Sequence, residues 1–146
     1  MVNSHFSKAY LYKRIVDAKL FIDRNFRDSI DVAKLANEAC FSKFHFLRLF
    51  KTTYGKTPHQ YLTTLRIEEA KILLSTQGIL VSEVCSILNF ESVTSFSKFF
   101  KKHTRMTPIE YAKKQQSRQA NMKREPLHYV PSCFSEKFGW RNSNFG

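Results

Sequence analysis

Glycine and proline are scarce in this chain, four of each in 146 residues. An all-β fold needs turn signals about every 8–12 residues, so that class is excluded. Cysteine is scarce too. Cys40, Cys85 and Cys133 form neither an even disulfide framework nor a CxxC pair, which fits a reducing cytosol. No apolar run of about 18 residues is present to span a bilayer, and no apolar segment follows a basic start, so no signal peptide is expected. A glycine-rich phosphate loop and a nucleophile elbow are both missing. His5, His45, His59, His103 and His128 are scattered without i, i+4 ligand spacing, and His103 and Cys133 lie in different regions. No metal, no cofactor and no enzymatic activity are expected. Cys85 is read as a small buried residue, and Glu68-Glu69 as a solvated helix face.

Acidic residues are half as many as basic ones, 12 against 24, and the net charge is +12. A polyanionic partner follows: nucleic acid first, an anionic membrane surface second. The length suits one domain or two very small ones. Phenylalanine, with 14 copies, is the main core material.

The apolar pattern is helical throughout. Leu11, Ile15, Ala18, Phe21 and Ile22 predict a first helix to about Phe26. Asp31 predicts an N-cap for a short helix with Val32, Leu35, Ala36 and Ala39 as its stripe, followed by a turn at Cys40-Phe41. Ser42 caps the next helix, whose inner face is Phe46, Leu49 and Phe50, and Gly55 suits its left-handed stop. Thr57-Pro58 restarts a longer helix to about Thr76. Its expected stripe is Tyr61, Leu62, Leu65, Ile67, Ala70, Leu73 and Leu74, and Gly78 ends it.

The pattern then repeats. Val81 answers Val32, Val84 answers Leu35, Cys85 answers Ala36 and Phe90 answers Phe41, all at an offset of 49. Past Glu91 the offset becomes 50, and Phe46, Phe50, Lys51, Thr57-Pro58 and Tyr61 return as Phe96, Phe100, Lys101, Thr107-Pro108 and Tyr111. The expected division is 8–57, a linker helix 58–77, 78–115, and a basic aromatic tail 116–146. Residues 1–115 carry 19 basic and 10 acidic side chains, a net +9 without the tail. The tail is expected to dock, if at all, through Tyr129, Phe134, Phe138 and Trp140.

A short helix, a tight turn and a second helix with an exposed polar face make a helix-turn-helix, whose second helix enters the major groove. The outward positions are Lys43, Phe44, Leu47, Arg48 and Lys51 in the first copy, and Val93, Thr94, Ser97, Lys98 and Lys101 in the second. A single helical hairpin is more often ordinary packing. Two copies that both place a cation at one position, Arg48 and Lys98, in a strongly basic domain favour double-stranded DNA. Arg48 is the expected base reader, since a guanidinium binds guanine O6 and N7 bidentately, while Phe44 and Leu47 suit thymine methyls. A linker of about 18 residues is a rod of roughly 27 Å. One chain could therefore reach two grooves a DNA turn apart, which a dimer usually does with two subunits. The rival class is a helical protein-interaction module that docks through the aromatic tail.

The stretches "LANEACFSKFHFLRLFKTTYGKTPHQYL", "RIEEAKILL" and "VSEVCSILNFESVTSFSKFFKKHTRMTPIEY" resemble the DNA-binding domain of AraC/XylS-type bacterial transcription regulators over about residues 8–115. The resemblance implies an all-α, homeodomain-like fold of seven helices, with two helix-turn-helix modules joined by a long linker helix. It also implies promoter binding, recruitment of RNA polymerase, and a cytoplasmic, nucleoid-associated place in a bacterium. Carried over by position, the family's base contacts fall on Phe44, Leu47 and Arg48, and on Val93, Thr94, Ser97 and Lys98. Asn89 and Arg105 stand where the family usually has glycine. Asparagine tolerates the left-handed region, whereas arginine there costs more unless the backbone avoids positive φ. Many relatives carry a ligand-sensing domain for which this chain has no room. It is expected to be either a stand-alone regulator or the C-terminal part of a longer one, and Met1 does not decide which.

Overall fold

The computed structural model describes residues 8–38, 42–76 and 78–125. Among the described residues all regular structure is helical: α1 (Lys8–Asn25), α2 (Val32–Glu38), α3 (Lys43–Tyr54), α4 (Pro58–Leu74), α5 (Val81–Ile87), α6 (Val93–Thr104) and α7 (Pro108–Arg124). The expected turn at Cys40-Phe41 and the tail aromatics Tyr129, Phe134, Phe138 and Trp140 lie outside the described residues.

Two apolar cores organise these helices. The first gathers Ile15, Ala18 and Ile22 of α1, Val32, Leu35 and Ala36 of α2, Phe46 and Phe50 of α3, and Leu62 of α4. The second gathers Ile67, Ala70 and Leu74 of α4, Val84 and Cys85 of α5, Leu88, and Phe96 and Phe100 of α6. Seven members of each list correspond. Ile15, Ala18 and Ile22 match Ile67, Ala70 and Leu74 at an offset of 52, which extends the repeat to a third helix. The units are therefore α1–α2–α3 and α4–α5–α6. Phe46, Phe50, Phe96 and Phe100 are all 0% exposed, and burying each contributes about 1.5–3 kcal/mol.

The aromatic geometry repeats as well. Phe46 and Phe50 lie 5.9 Å apart at 52°, and Phe96 and Phe100 lie 5.7 Å apart at 54°. Tyr61 meets Phe50 edge-on at 5.9 Å, and Tyr111 meets Phe100 edge-on at 5.4 Å. Each recognition helix is thus backed by the helix that follows it.

Helix ends fall where the side chains dictate. Asp31 Oδ1 accepts from the backbone N–H of Ala33 and Lys34 and so caps α2. Glu83 does the corresponding work on α5 by reaching back to the Leu80 N–H at 2.7 Å. Thr57 and Thr107 open α4 and α7 with reciprocal capping boxes whose third residues are Gln60 and Glu110, each helix starting on proline.

Three expectations need correction. Phe21 is 44% exposed rather than part of the α1 stripe, because adjacent residues are about 100° apart on a helix and Ile22 holds the core face. The apolar residues of α4 are not one stripe. Leu62, with Tyr61 and Leu65 beside it, serves the first core, while Ile67, Ala70 and Leu74 serve the second. Finally, helix continues past residue 115, through Arg124. Its later residues are good helix formers with little apolar content, so periodicity gives no sign of them. Gln119 anchors this extension by donating from Nε2 to the Ser75 carbonyl at 3.0 Å.

Arg105 does adopt the left-handed conformation, at φ 65°, as Gly55 does at φ 71° in the first copy; Asn89 is left-handed too, at φ 54°. Arg105 N–H donates to the Lys101 carbonyl at 2.9 Å, as Gly55 N–H does to Lys51 at 2.8 Å. An L-residue there costs roughly 1–2 kcal/mol, partly offset because glycine loses about 0.5–1 kcal/mol more entropy on folding. Arg105→Gly should therefore stabilise the domain by about 0.5–1 kcal/mol in urea melts. Gly55→Ala should destabilise it by about 1 kcal/mol through backbone strain alone, since nothing lies within 4 Å of an added Cβ. A less stable Arg105→Gly variant would mean that the arginine side chain offsets its own backbone cost.

The two capping boxes differ in one atom set. Hydrogen bonds from the Thr107 backbone and side chain, with Lys101 nearby, hold the Glu110 carboxyl below its usual 4.5. A depressed carboxylate contributes stability that is complete above its unfolded pKa and is lost as pH falls through the lower folded value. The α7 cap should therefore loosen in acid below pH 4.5, while the Gln60 cap of α4 does not. Amide shifts of Thr107 and Thr57 in an NMR pH titration would check this, and Glu110→Gln should flatten the Thr107 response.

Candidate nucleic-acid interface

The outward faces of α3 and α6 are set by what those helices bury. Ser42 accepts from the His45 N–H and Ser92 from the Ser95 N–H, so both helices start at equivalent points. With Phe46 and Phe50 turned inward, Lys43, Phe44, Arg48 and Lys51 are exposed, Phe44 at 84%. With Phe96 and Phe100 turned inward, Val93, Thr94, Lys98 and Lys101 are exposed. The equivalent residues Leu47 and Ser97 are half-buried rather than fully outward, and Leu47 leans on the first core. All ten of the expected site residues thus lie on α3 and α6, eight of them exposed.

Neither α3 nor α6 contains an acidic residue. Lys43, Arg48 and Lys51 give α3 three cations, and Lys98, Lys101 and Lys102 do the same for α6, with Arg105 just beyond its end. The carboxylates lie on the other helices and the loops. Two cationic helix faces are thereby carried by a scaffold that takes all the carboxylates of the described residues, an arrangement suited to a polyphosphate rod.

The scaffold is stitched at two places that the sequence pattern did not single out. Tyr61 of α4 donates to Asp23 Oδ1 of α1 at 2.7 Å, and Lys19 closes on the other carboxylate oxygen at 2.5 Å. Burial first, then the Asp23 hydrogen bond, pushes the Tyr61 phenol up. The second stitch is Arg66 of α4. It donates from Nε to the Phe26 carbonyl at 2.7 Å and from Nη2 to the Asp28 carbonyl at 2.8 Å. Its guanidinium also lies 5.8 Å from the Phe90 ring centroid, and burial lowers its pKa. Beside it runs the Arg27–Glu69 ion pair between the α1–α2 loop and α4. The available signal was a recurrence: Arg66 answers Arg14 at the offset of 52 that joins α1 to α4, while the α7 position 50 residues on holds Gln116, which is exposed.

Among the described residues no helix is long and apolar enough to cross a membrane.

A family model described as a helix-turn-helix domain matches residues 35–114, more than half of the chain. The probable transcriptional regulator LumQ of Photobacterium leiognathi is 34% identical over 91 residues, covering 62% of this chain and 37% of that one. The lactose operon transcription activator of Staphylococcus xylosus is 32% identical, covering 62% and 33%. The chain thus spans about a third of the length of these two curated relatives. Against the transposon Tn10 TetD protein of Escherichia coli, 32% identity covers 66% of this chain and 70% of that one. Among solved structures, the DNA-binding domain of AdpA in complex with a target DNA matches with a TM-score of 0.63 at 27% identity, covering 75% and 96%. The C-terminal domain of the response regulator yesN from Fusobacterium nucleatum matches at 0.62 and 28%, covering 66% and 95%.

Proposed function

The chain belongs to the AraC-type family of helix-turn-helix transcription regulators, and from that premise we propose that it reads a specific DNA site with α3 and α6 in two successive major grooves. The observation that carries this is the exact repetition in one chain of a capped, acid-free cationic helix backed by paired phenylalanines. The 17 residues of α4 between the two modules form a rod of about 26 Å. With helix widths added, that suits one DNA turn, near 34 Å. A single protomer then does what two subunits do in a dimeric repressor.

Within the interface, Arg48 reads guanine, Phe44 and Leu47 contact thymine methyls, and Lys43 and Lys51 bind phosphate. In the second module Val93, Thr94, Ser97 and Lys98 reach base edges and Lys101 binds phosphate. Residues 8–57 and 78–115 are the two reading units, with 58–77 between them. Family membership supports a regulator that recruits RNA polymerase at promoters, in a bacterial cytoplasm and on the nucleoid. It supports no catalytic step.

Two outcomes test the proposal, after selection of a bound site from a random duplex library. Affinity should fall steeply with salt as lysine and arginine release counterions, with a slope of log K against log salt near −5 for roughly six phosphate contacts. A slope near zero would rule out a phosphate-dominated interface. Arg48→Ala should cost about 1–3 kcal/mol and relax preference at one or two base pairs, whereas Lys51→Ala should weaken all sequences nearly equally. Recovery of an unchanged motif by Arg48→Ala protein would remove Arg48 from the base-reading set.

A further inference from the structure

Reading two grooves at once needs more than two good recognition helices, because their separation and relative rotation must match the duplex. Helix α4 is continuous between the modules, yet a helix fixes only what is packed on it. The α1–α2 loop of the first module and the α5–α6 turn of the second both approach α4 near its middle. Between them lies a cleft of about 440 Å³, lined by Ser29 and Ile30 on one side and by Asn89, Phe90 and Ser95 on the other. Arg66 lines this cleft too and touches both sides. It binds the carbonyls of Phe26 and Asp28 and faces the ring of Phe90. Phe90 in turn packs on Phe96 of α6 at 5.0 Å. A single side chain therefore links the end of α1 to the core of the second recognition helix.

The position of Arg66 on α4 suits this work. At about 100° per residue, it falls between Leu62, which serves the first core, and Ala70, which serves the second. Its counterpart in α7, Gln116, is exposed. At the offset of 52 the same residue stands in α1 as Arg14, but there it donates to Tyr10 of its own helix.

We propose that Arg66 is a positioning residue that fixes the spacing and rotation between α3 and α6, and with them the half-site separation this protein accepts. The proposal rests on the two-groove reading above. It assigns spacing specificity to a residue that need touch no base.

The test uses the full chain and its selected site, with the central spacer lengthened or shortened by one base pair. Each such step moves a half-site about 3.4 Å along the axis and rotates it by about 34°. Wild-type protein should lose about tenfold in affinity, some 1.4 kcal/mol, at either altered spacing. Arg66→Met keeps an unbranched stem against Phe90 and removes both carbonyl hydrogen bonds. It should bind the original site within a few-fold of wild type and show a spacing penalty of less than about threefold. Arg66→Lys, with one movable donor, should fall between them and serves if Arg66→Met fails to fold.

A DNA-free measurement separates the two ideas. Spin labels carried by unnatural amino acids at exposed positions 52 and 102, on α3 and α6, should give a narrow distance distribution in wild type and a broad one in Arg66→Met. Equal spacing penalties with equal distributions would overturn the role of Arg66. Wild-type protein without sequence-dependent binding would overturn the two-groove reading instead, and the distance distributions would still decide whether Arg66 holds the two helices.

Discussion

Helix α4 has to satisfy two apolar cores at once. Its first half completes the first core with Leu62, and its second half opens the other with Ile67, Ala70 and Leu74. From Leu62 to Ile67 the helix turns through about 140°, so the two cores sit on different sides of one rod. Almost everything else in the structure follows from this sharing. Neither module can move without disturbing residues on the helix that serves the other, and the recognition helices inherit their relation from its length and pitch. Phe26, which packs against both cores, and Arg66 occupy the seam between the two obligations.

Within each unit the order of causes is local. A serine, threonine, aspartate or glutamate side chain sets where a helix begins, and two phenylalanines four residues apart set which face of the recognition helix is buried. The remaining positions are then free for function. The exposure of Phe44, Arg48, Thr94 and Lys98 is thus a by-product of burying Phe46, Phe50, Phe96 and Phe100. Charge follows the same partition, with the carboxylates of the described residues kept to the scaffold helices and the loops.

Much of this was legible in the sequence because caps and core phenylalanines are read over short distances. Ser42, Thr57 and Gly55 place helix ends directly, and the offsets of 49 and 50 expose the helix-turn-helix pair. The correspondence of α1 with α4 was missed although the sequence carries it, Arg14-Ile15, Ala18-Lys19 and Ile22 answering Arg66-Ile67, Ala70-Lys71 and Leu74, because it runs at a third offset. A count of apolar residues along α4 likewise merged two faces into one stripe. Arg66 escaped notice for a different reason: its partners are backbone carbonyls and a ring distant in sequence, and neither leaves a trace in periodicity. Leu47 and Ser97 show the limit of a helical wheel, because whether an intermediate position turns in or out depends on the neighbouring helix. The left-handed backbone at Arg105 is a last case, in which the register of the turn overrides residue preference.

The buried triplet of α4 has a counterpart in α7. Fifty residues after Ile67, Ala70 and Leu74 stand Ser117, Ala120 and Arg124, all exposed. Helix α7 therefore closes the second core with Tyr111 and Ala112 but cannot found a third. In the language of modular arrays it is an end cap. An assembly in which each closing helix can also open the next unit has no inherent stopping point. Among the described residues the count is two, with a serine and an arginine standing where propagation would require an isoleucine and a leucine.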